Sequence, residues 1–143
     1  MDNQKNIRII LAENKESGLL LEDLLKDFSL KHKTELIQFE DENKLLNYLK
    51  SNKENLNDEY SHIIIFNLCT PLYNVIEVIK EIKSNPYLKF IPIFVVTSSI
   101  DKEEIREVYR AHANSFIVKP DDLKGLLNIL DKFKKLWSYA ELP

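Results

Sequence analysis

The chain has 143 residues, 44% of them hydrophobic and 30% charged, with a formal net charge of −3. That length fits one domain with a full core, and the balance excludes a disordered chain. Lys and Glu mixed along the whole length argue against a dedicated nucleic-acid face. The single cysteine, Cys69, rules out an intrachain disulfide and a cysteine-based metal cluster. Neither a signal-peptide core nor an apolar run of membrane-spanning length occurs, so a cytoplasmic protein without membrane contact is expected.

In chain order, five short apolar runs alternate with segments of helical periodicity. The first run, Ile7–Ala12, precedes Leu19, Leu20, Leu24, Leu25 and Phe28, which recur as on one face of an amphipathic helix. Thr34–Phe39 is the second strand, and Leu45, Leu46 and Leu49 mark the next helix. A polar stretch, Ser51–Tyr60, reads as a surface connection. The third strand, His62–Phe66, runs into Asn67-Leu68-Cys69-Thr70-Pro71, a sharp polar break after an apolar run. Val75, Ile76, Ile79 and Ile82 define a helix stopped at Asn85-Pro86, since proline cannot continue it. Ile91–Val96 is the fourth strand, and Asp101 caps a helix carrying Ile105, Val108 and Tyr109. Ser115–Val118 is the fifth strand. After Pro120 and Asp121, a last helix carries Leu123, Leu126, Leu127, Leu130, Phe133 and Trp137. Strict alternation with apolar strands predicts a doubly wound (βα)5 α/β fold of the flavodoxin-like type, with five parallel strands in a single domain over residues 1–143.

The residues exclude several α/β chemistries. Only two glycines occur, Gly18 and Gly125, and neither builds the glycine-rich first strand-to-helix turn that a dinucleotide site or a P-loop requires. That turn reads Glu13-Asn14-Lys15-Glu16-Ser17, which also lacks the small, hydroxyl-rich loop of a flavin phosphate site. Cys69 is read as a buried structural cysteine. His32, His62 and His112 have no spacing that indicates a metal or a catalytic triad, and are read as solvated or locally bonded. No cofactor, metal or enzymatic activity is expected.

Ligands of open α/β sheets sit at the carboxyl ends of the strands. There the landmarks are LAEN (Leu11–Asn14), FNLCTP (Phe66–Pro71), IPIFVVTSS (Ile91–Ser99) and YRAHANSFIVKP (Tyr109–Pro120), followed by a leucine-rich helix and the tail FKKLWSYAELP. Their order and spacing resemble the receiver domain of two-component response regulators over nearly the whole chain. ANSFIVKP is the most specific part, and the tail is similar to that of stand-alone receivers that partner cyanobacterial phytochromes and related histidine kinases.

The resemblance implies roles by position. The acidic pair that holds Mg²⁺ in such receivers becomes Glu13 and Asn14, and the phosphoacceptor aspartate becomes Asn67. The phosphoryl-binding hydroxyl and lysine become Thr97 and Lys119, and the switching aromatic becomes Phe116, which lacks the hydroxyl many receivers carry there. Two carboxylates are thus replaced by amides, and Leu72-Tyr73-Asn74 stands where a glycine usually follows the loop proline. Glu13 opposite Lys119, with Lys15 nearby, gives a nearly neutral pocket. Asn67 is expected to accept from Lys119 and donate to Glu13 or Thr97, locking the loops without a metal.

The expected function is that of a stand-alone pseudo-receiver, a signalling protein acting through contacts with a histidine kinase or another signalling partner. One alternative is a receiver that takes phosphate on another residue such as Thr97, or on a deamidated Asn67. Another is an inert domain cut from a longer protein. No DNA-binding helix pair follows the last helix, so direct nucleic-acid contact is not expected. Tyr109, Phe116, Phe133, Trp137 and Tyr139 belong to the fourth helix, fifth strand and fifth helix, the face that receivers use to pair. Aromatic residues are enriched at interface centres, so a homodimer through this face is expected.

Overall fold

The computed structural model describes residues 6–16, 20–54, 56, 60–69, 71–97, 101–118, 124–128 and 130–132. In chain order the elements are β1 (Asn6–Glu13), α1 (Glu22–His32), β2 (Glu35–Phe39), α2 (Glu42–Asn52), β3 (Tyr60–Asn67), α3 (Tyr73–Ser84), β4 (Ile93–Thr97), α4 (Lys102–Arg110) and β5 (Ser115–Val118). A further helical segment is described over 124–128 and 130–132. The five strands form one parallel sheet in the order β2-β1-β3-β4-β5. The α/β architecture is therefore the one the alternating pattern predicts.

Two apolar clusters lie on the two faces of this sheet, because alternate strand residues point to opposite sides. Ile10, Ala12, Ile64, Phe66, Ile93 and Val95 join Leu45, Leu49, Val75, Ile79 and Val108 of α2, α3 and α4. Ile7, Ile9, Leu11, Ile63, Ile65, Phe94 and Val96 join Leu21, Leu25 and Phe28 around α1, with Leu126 and Leu130. The interior strands are apolar on both faces, as a doubly covered parallel sheet demands.

Local chemistry sets the boundaries. Asp41 caps α2 by accepting from the Lys44 N–H, and Asp101 caps α4 by accepting from the Glu103 and Glu104 N–H groups. α1 ends on Lys33 in the left-handed region, at φ 54°. α3 stops at Ser84, one residue before Asn85-Pro86.

Three expectations need correction. Cys69 is exposed rather than buried, because the chain leaves the sheet after Asn67 and no longer alternates into a core. Of the two readings of His62 the solvated one falls, since the imidazole is buried, 1% exposed, and the locally bonded one stands; β3 also begins two residues earlier than the predicted strand. The stretch read as a polar surface connection contains Leu56, which is buried in the core, and its last residue, Tyr60, opens β3. Of the other histidines, His32 stacks on Phe28 with ring centroids 4.3 Å apart, and His112 is exposed at φ 73°.

Candidate functional site at the carboxyl end of the sheet

β1 and β3 run side by side to their last residues, and the register pairs Glu13 with Asn67. β4 lies against the other side of β3, with Asn67 paired to Val96, so Thr97 falls one step further along. The topology thus brings Glu13, Asn67 and Thr97 to one end of three adjacent strands, as the sequence predicts. Asn67 and Thr97 are both buried.

The contacts there are specific. Asn67 Nδ2 donates to Glu13 Oε2 at 2.6 Å, and the Leu21 N–H donates to the same oxygen at 2.5 Å. Leu21 is the N-cap of α1 and has no side-chain cap of its own, so Glu13 supplies that helix entry with its acceptor. One carboxylate oxygen therefore fastens the end of β3 to the loop between β1 and α1. The Asn67 amide donates as predicted, to Glu13.

Asn14 faces a different task. Its Oδ1 accepts from the Glu16 N–H at 2.8 Å, closing a local Asx turn, while its own N–H donates to the Asn67 carbonyl at 3.2 Å. This amide builds the loop. Lys15 is exposed beside it. Lys119, expected opposite Glu13, lies outside the described residues, as do Phe133, Trp137 and Tyr139.

A magnesium ion, as the receiver resemblance implies, needs near-octahedral oxygen ligands and one or two carboxylates beside a phosphate. Of the two positions expected to form the acidic pair only Glu13 is a carboxylate, and its Oε2 already accepts two N–H bonds. The Asn14 oxygen is turned into its own loop. These residues do not fit a divalent cation. Among the described residues, no group of three or more His, Cys, Asp and Glu is placed to hold a metal ion.

Sequence reasoning missed a contact at the rim. Glu104 of α4 accepts from the Leu72 N–H at 2.8 Å, tying α4 to the loop that follows Asn67. Leu72 is the uncapped N-cap of α3, so again a distant carboxylate completes a helix entry. No periodic signal links positions 72 and 104. A helix start without Ser, Thr, Asp or Asn was the only available hint that an acceptor must come from elsewhere.

The neighbouring α4–β5 face contains Tyr109, half exposed, whose hydroxyl accepts from the Phe116 N–H at 3.2 Å. Phe116 is partly buried against the α2–α3–α4 core. The outer side of α4 carries ion pairs, Arg106–Glu103 at 3.4 Å and Arg110–Glu107 at 2.6 Å.

No family model matches the chain. Among curated proteins it is similar to the response regulator Rcp1 of Synechocystis sp., 28% identical over 135 residues, covering 94% of this chain and 90% of the relative. Among solved structures it is similar to the phosphorylated cyanobacterial phytochrome response regulator RcpA, with a TM-score of 0.66 and 27% identity, covering 96% of this chain and 99% of that one. The manganese-bound form of Rcp1 gives a TM-score of 0.65 at 27% identity, with the same coverages. One of these two relatives is thus seen phosphorylated and the other with a divalent metal.

Proposed function

Because this chain is a homologue of stand-alone response regulators with a receiver-type fold, we propose that it signals through protein contacts and is not phosphorylated at position 67. The hydrogen bond from Asn67 Nδ2 to Glu13 Oε2 carries this reading. An amide offers no carboxylate nucleophile, and its N–H group engages the carboxylate that a metal would need. The amide–carboxylate pair stands in for the metal and holds the β1–α1 and β3–α3 loops in one arrangement. In this reading residues 1–143 form one cytoplasmic receiver-like domain, the partner is a histidine kinase or another signalling protein, and the site performs no catalysis.

Two measurements test it. Small phosphodonors with Mg²⁺ are expected to leave the mass of the protein unchanged; a phosphorylated species mapped to Thr97 or another pocket residue establishes the alternative, a receiver that accepts phosphate elsewhere. Asn67→Asp places a carboxylate against Glu13 in a buried site, which raises the pKa of the pair above its unfolded value. The penalty is therefore absent below about pH 4 and grows to about 2 kcal/mol near neutrality, read by denaturant unfolding without metal. Adding Asn14→Asp deepens the loss, and Mg²⁺ then restores stability. A double variant as stable as the parent and indifferent to Mg²⁺ refutes the positional assignment.

The self-contact in this reading is a homodimer through α4, β5 and the following helix. Light scattering at micromolar concentration reports it. Because the Tyr109 hydroxyl also holds β5, Tyr109→Glu and Tyr139→Glu are compared with Tyr109→Phe, which keeps the ring. The glutamate variants yield folded monomers and the phenylalanine variant remains dimeric. A parent chain that stays monomeric at high concentration removes the homodimer.

A further inference from the structure

The turn between α3 and β4, Asn85–Ile91, lies where β4 begins, at the end of the sheet away from Asn67. It is closed by its own bonds. Asn85 Oδ1 accepts from the Tyr87 N–H at 2.8 Å, and the Asn85 carbonyl accepts from Leu88 at 3.1 Å and Lys89 at 2.9 Å. The Leu88 carbonyl accepts from Ile91 at 3.1 Å, and the fully buried Leu88 side chain anchors the turn. Half-buried Lys83 reaches in from α3, its Nζ donating to the Lys89 carbonyl at 3.1 Å and the Ile91 carbonyl at 2.8 Å. Burial holds this ammonium below the ordinary lysine pKa.

On that fixed frame two aromatic side chains face outward. Tyr87 is 48% exposed and Phe90 60%. Each ring has a lysine beside it: Lys53 Nζ is 5.7 Å from the Tyr87 centroid, and Lys89 Nζ is 5.0 Å from that of Phe90. Neighbouring Lys50 and Lys80 are neutralised by Glu81 and Glu77. Among the described residues no carboxylate pairs with Lys53 or Lys89. Among the described residues, then, these two cations meet aromatic rings and no carboxylate.

We propose that Tyr87, Phe90, Lys53 and Lys89 form a docking surface for a partner-protein segment in which acidic residues alternate with apolar ones. Apolar side chains cover the two rings, and carboxylates meet the two lysines. Because the turn is already ordered, little conformational entropy is lost on binding. Aromatic side chains on a rigid support are the residue type that anchors interfaces. A nucleic acid fits less well, since two lysines beside two rings in a chain of net charge −3 give no extended basic face for a phosphate backbone.

The test uses the full chain and a synthetic peptide in which glutamate alternates with leucine and phenylalanine, followed by backbone amide resonances. Residues 85–91 and Lys53 are expected to shift, and added salt should weaken the effect. Tyr87→Ala with Phe90→Ala should reduce affinity about tenfold or more, and both sites are exposed enough to leave the fold intact. Lys53→Glu with Lys89→Glu should transfer the preference to a peptide carrying lysine in place of glutamate. Shifts confined to other surfaces, or none at about millimolar peptide, overturn the proposal. So does a stronger response of residues 85–91 to oligouridine or to anionic vesicles, or a concentration-dependent shift without peptide, which would make the patch a self-contact.

Discussion

The two ends of the same strands hold two polar clusters built on opposite principles. At the carboxyl end the cluster is a carboxylate and an amide, Glu13 and Asn67, joined by a hydrogen bond and closed by the Leu21 N–H. At the amino end it is charged and aromatic. Arg8 of β1 pairs with Glu35 of β2 at 3.1 Å, and its guanidinium lies 3.8 Å from the centre of the Tyr60 ring of β3. His62 is buried beside that ring, with centroids 6.3 Å apart. The parallel register brings Arg8 opposite both Glu35 and His62.

Position in the sheet sets how far water can reach each cluster. The amino-end cluster reaches water, since the Glu35 side chain is 42% exposed, so its ion pair is screened. The carboxyl-end cluster centres on a fully buried amide, where an unmatched donor has no water to turn to. A charged pair at the open end is thus expected to matter less than a neutral donor matched to a carboxylate at the closed end.

The largest effect should follow from Glu13→Ala, which strands the Asn67 amide and the Leu21 N–H together. A loss of about 2–4 kcal/mol is expected from two orphaned buried donors, read from the midpoint of denaturant unfolding. A loss comparable to that of a surface substitution would mean that the pair does not fasten the two loops.

Arg8→Met keeps much of the apolar stem and removes the guanidinium that pairs with Glu35 and lies over the Tyr60 ring. The expected loss is about 1 kcal/mol, roughly the value of a half-exposed ion pair with some cation–π contribution. If this substitution proves more damaging than Glu13→Ala, the ranking of the two ends is reversed.

The smallest effect is a pH signature. The Tyr60 hydroxyl first, and then Arg8, hold the Glu35 carboxyl below its ordinary value of 4.5 against the opposing effect of burial. A depressed folded-state pKa contributes stability above the unfolded value, and that stability is lost as pH falls through the folded one. Glu35→Gln should therefore be slightly less stable than the parent at neutral pH. The difference should shrink as the solution is acidified below 4.5, which parallel thermal melts would detect. A gap that is constant with pH would assign the effect to packing.

Much of this architecture was legible in the chain because apolar periodicity reports burial directly. β5 falls on Ser115–Val118 as the pattern predicts, and the cap Asp101 precedes α4 as a short polar acceptor should. The cluster at the amino end was not legible. Arg8, Glu35, Tyr60 and His62 are polar residues at strand beginnings, and nothing local indicates that register will stack them on one face. The start of β3 was placed two residues late and Cys69 was misread for a related reason. Where a strand meets a loop, a shift of two residues in the boundary decides between core and solvent.

Residue identity and spacing alone were enough to give the alternation of strands and helices, the apolar faces, and the amides at positions 14 and 67. Identity and spacing are local properties. Only the tertiary structure decided that Glu13 accepts from both Asn67 and Leu21, that Glu104 completes the start of α3, and that Lys53 stands beside Tyr87. The hydrogen-bond partners here lie between 8 and 54 residues apart, and a donor finds its acceptor only once the sheet has fixed their separation.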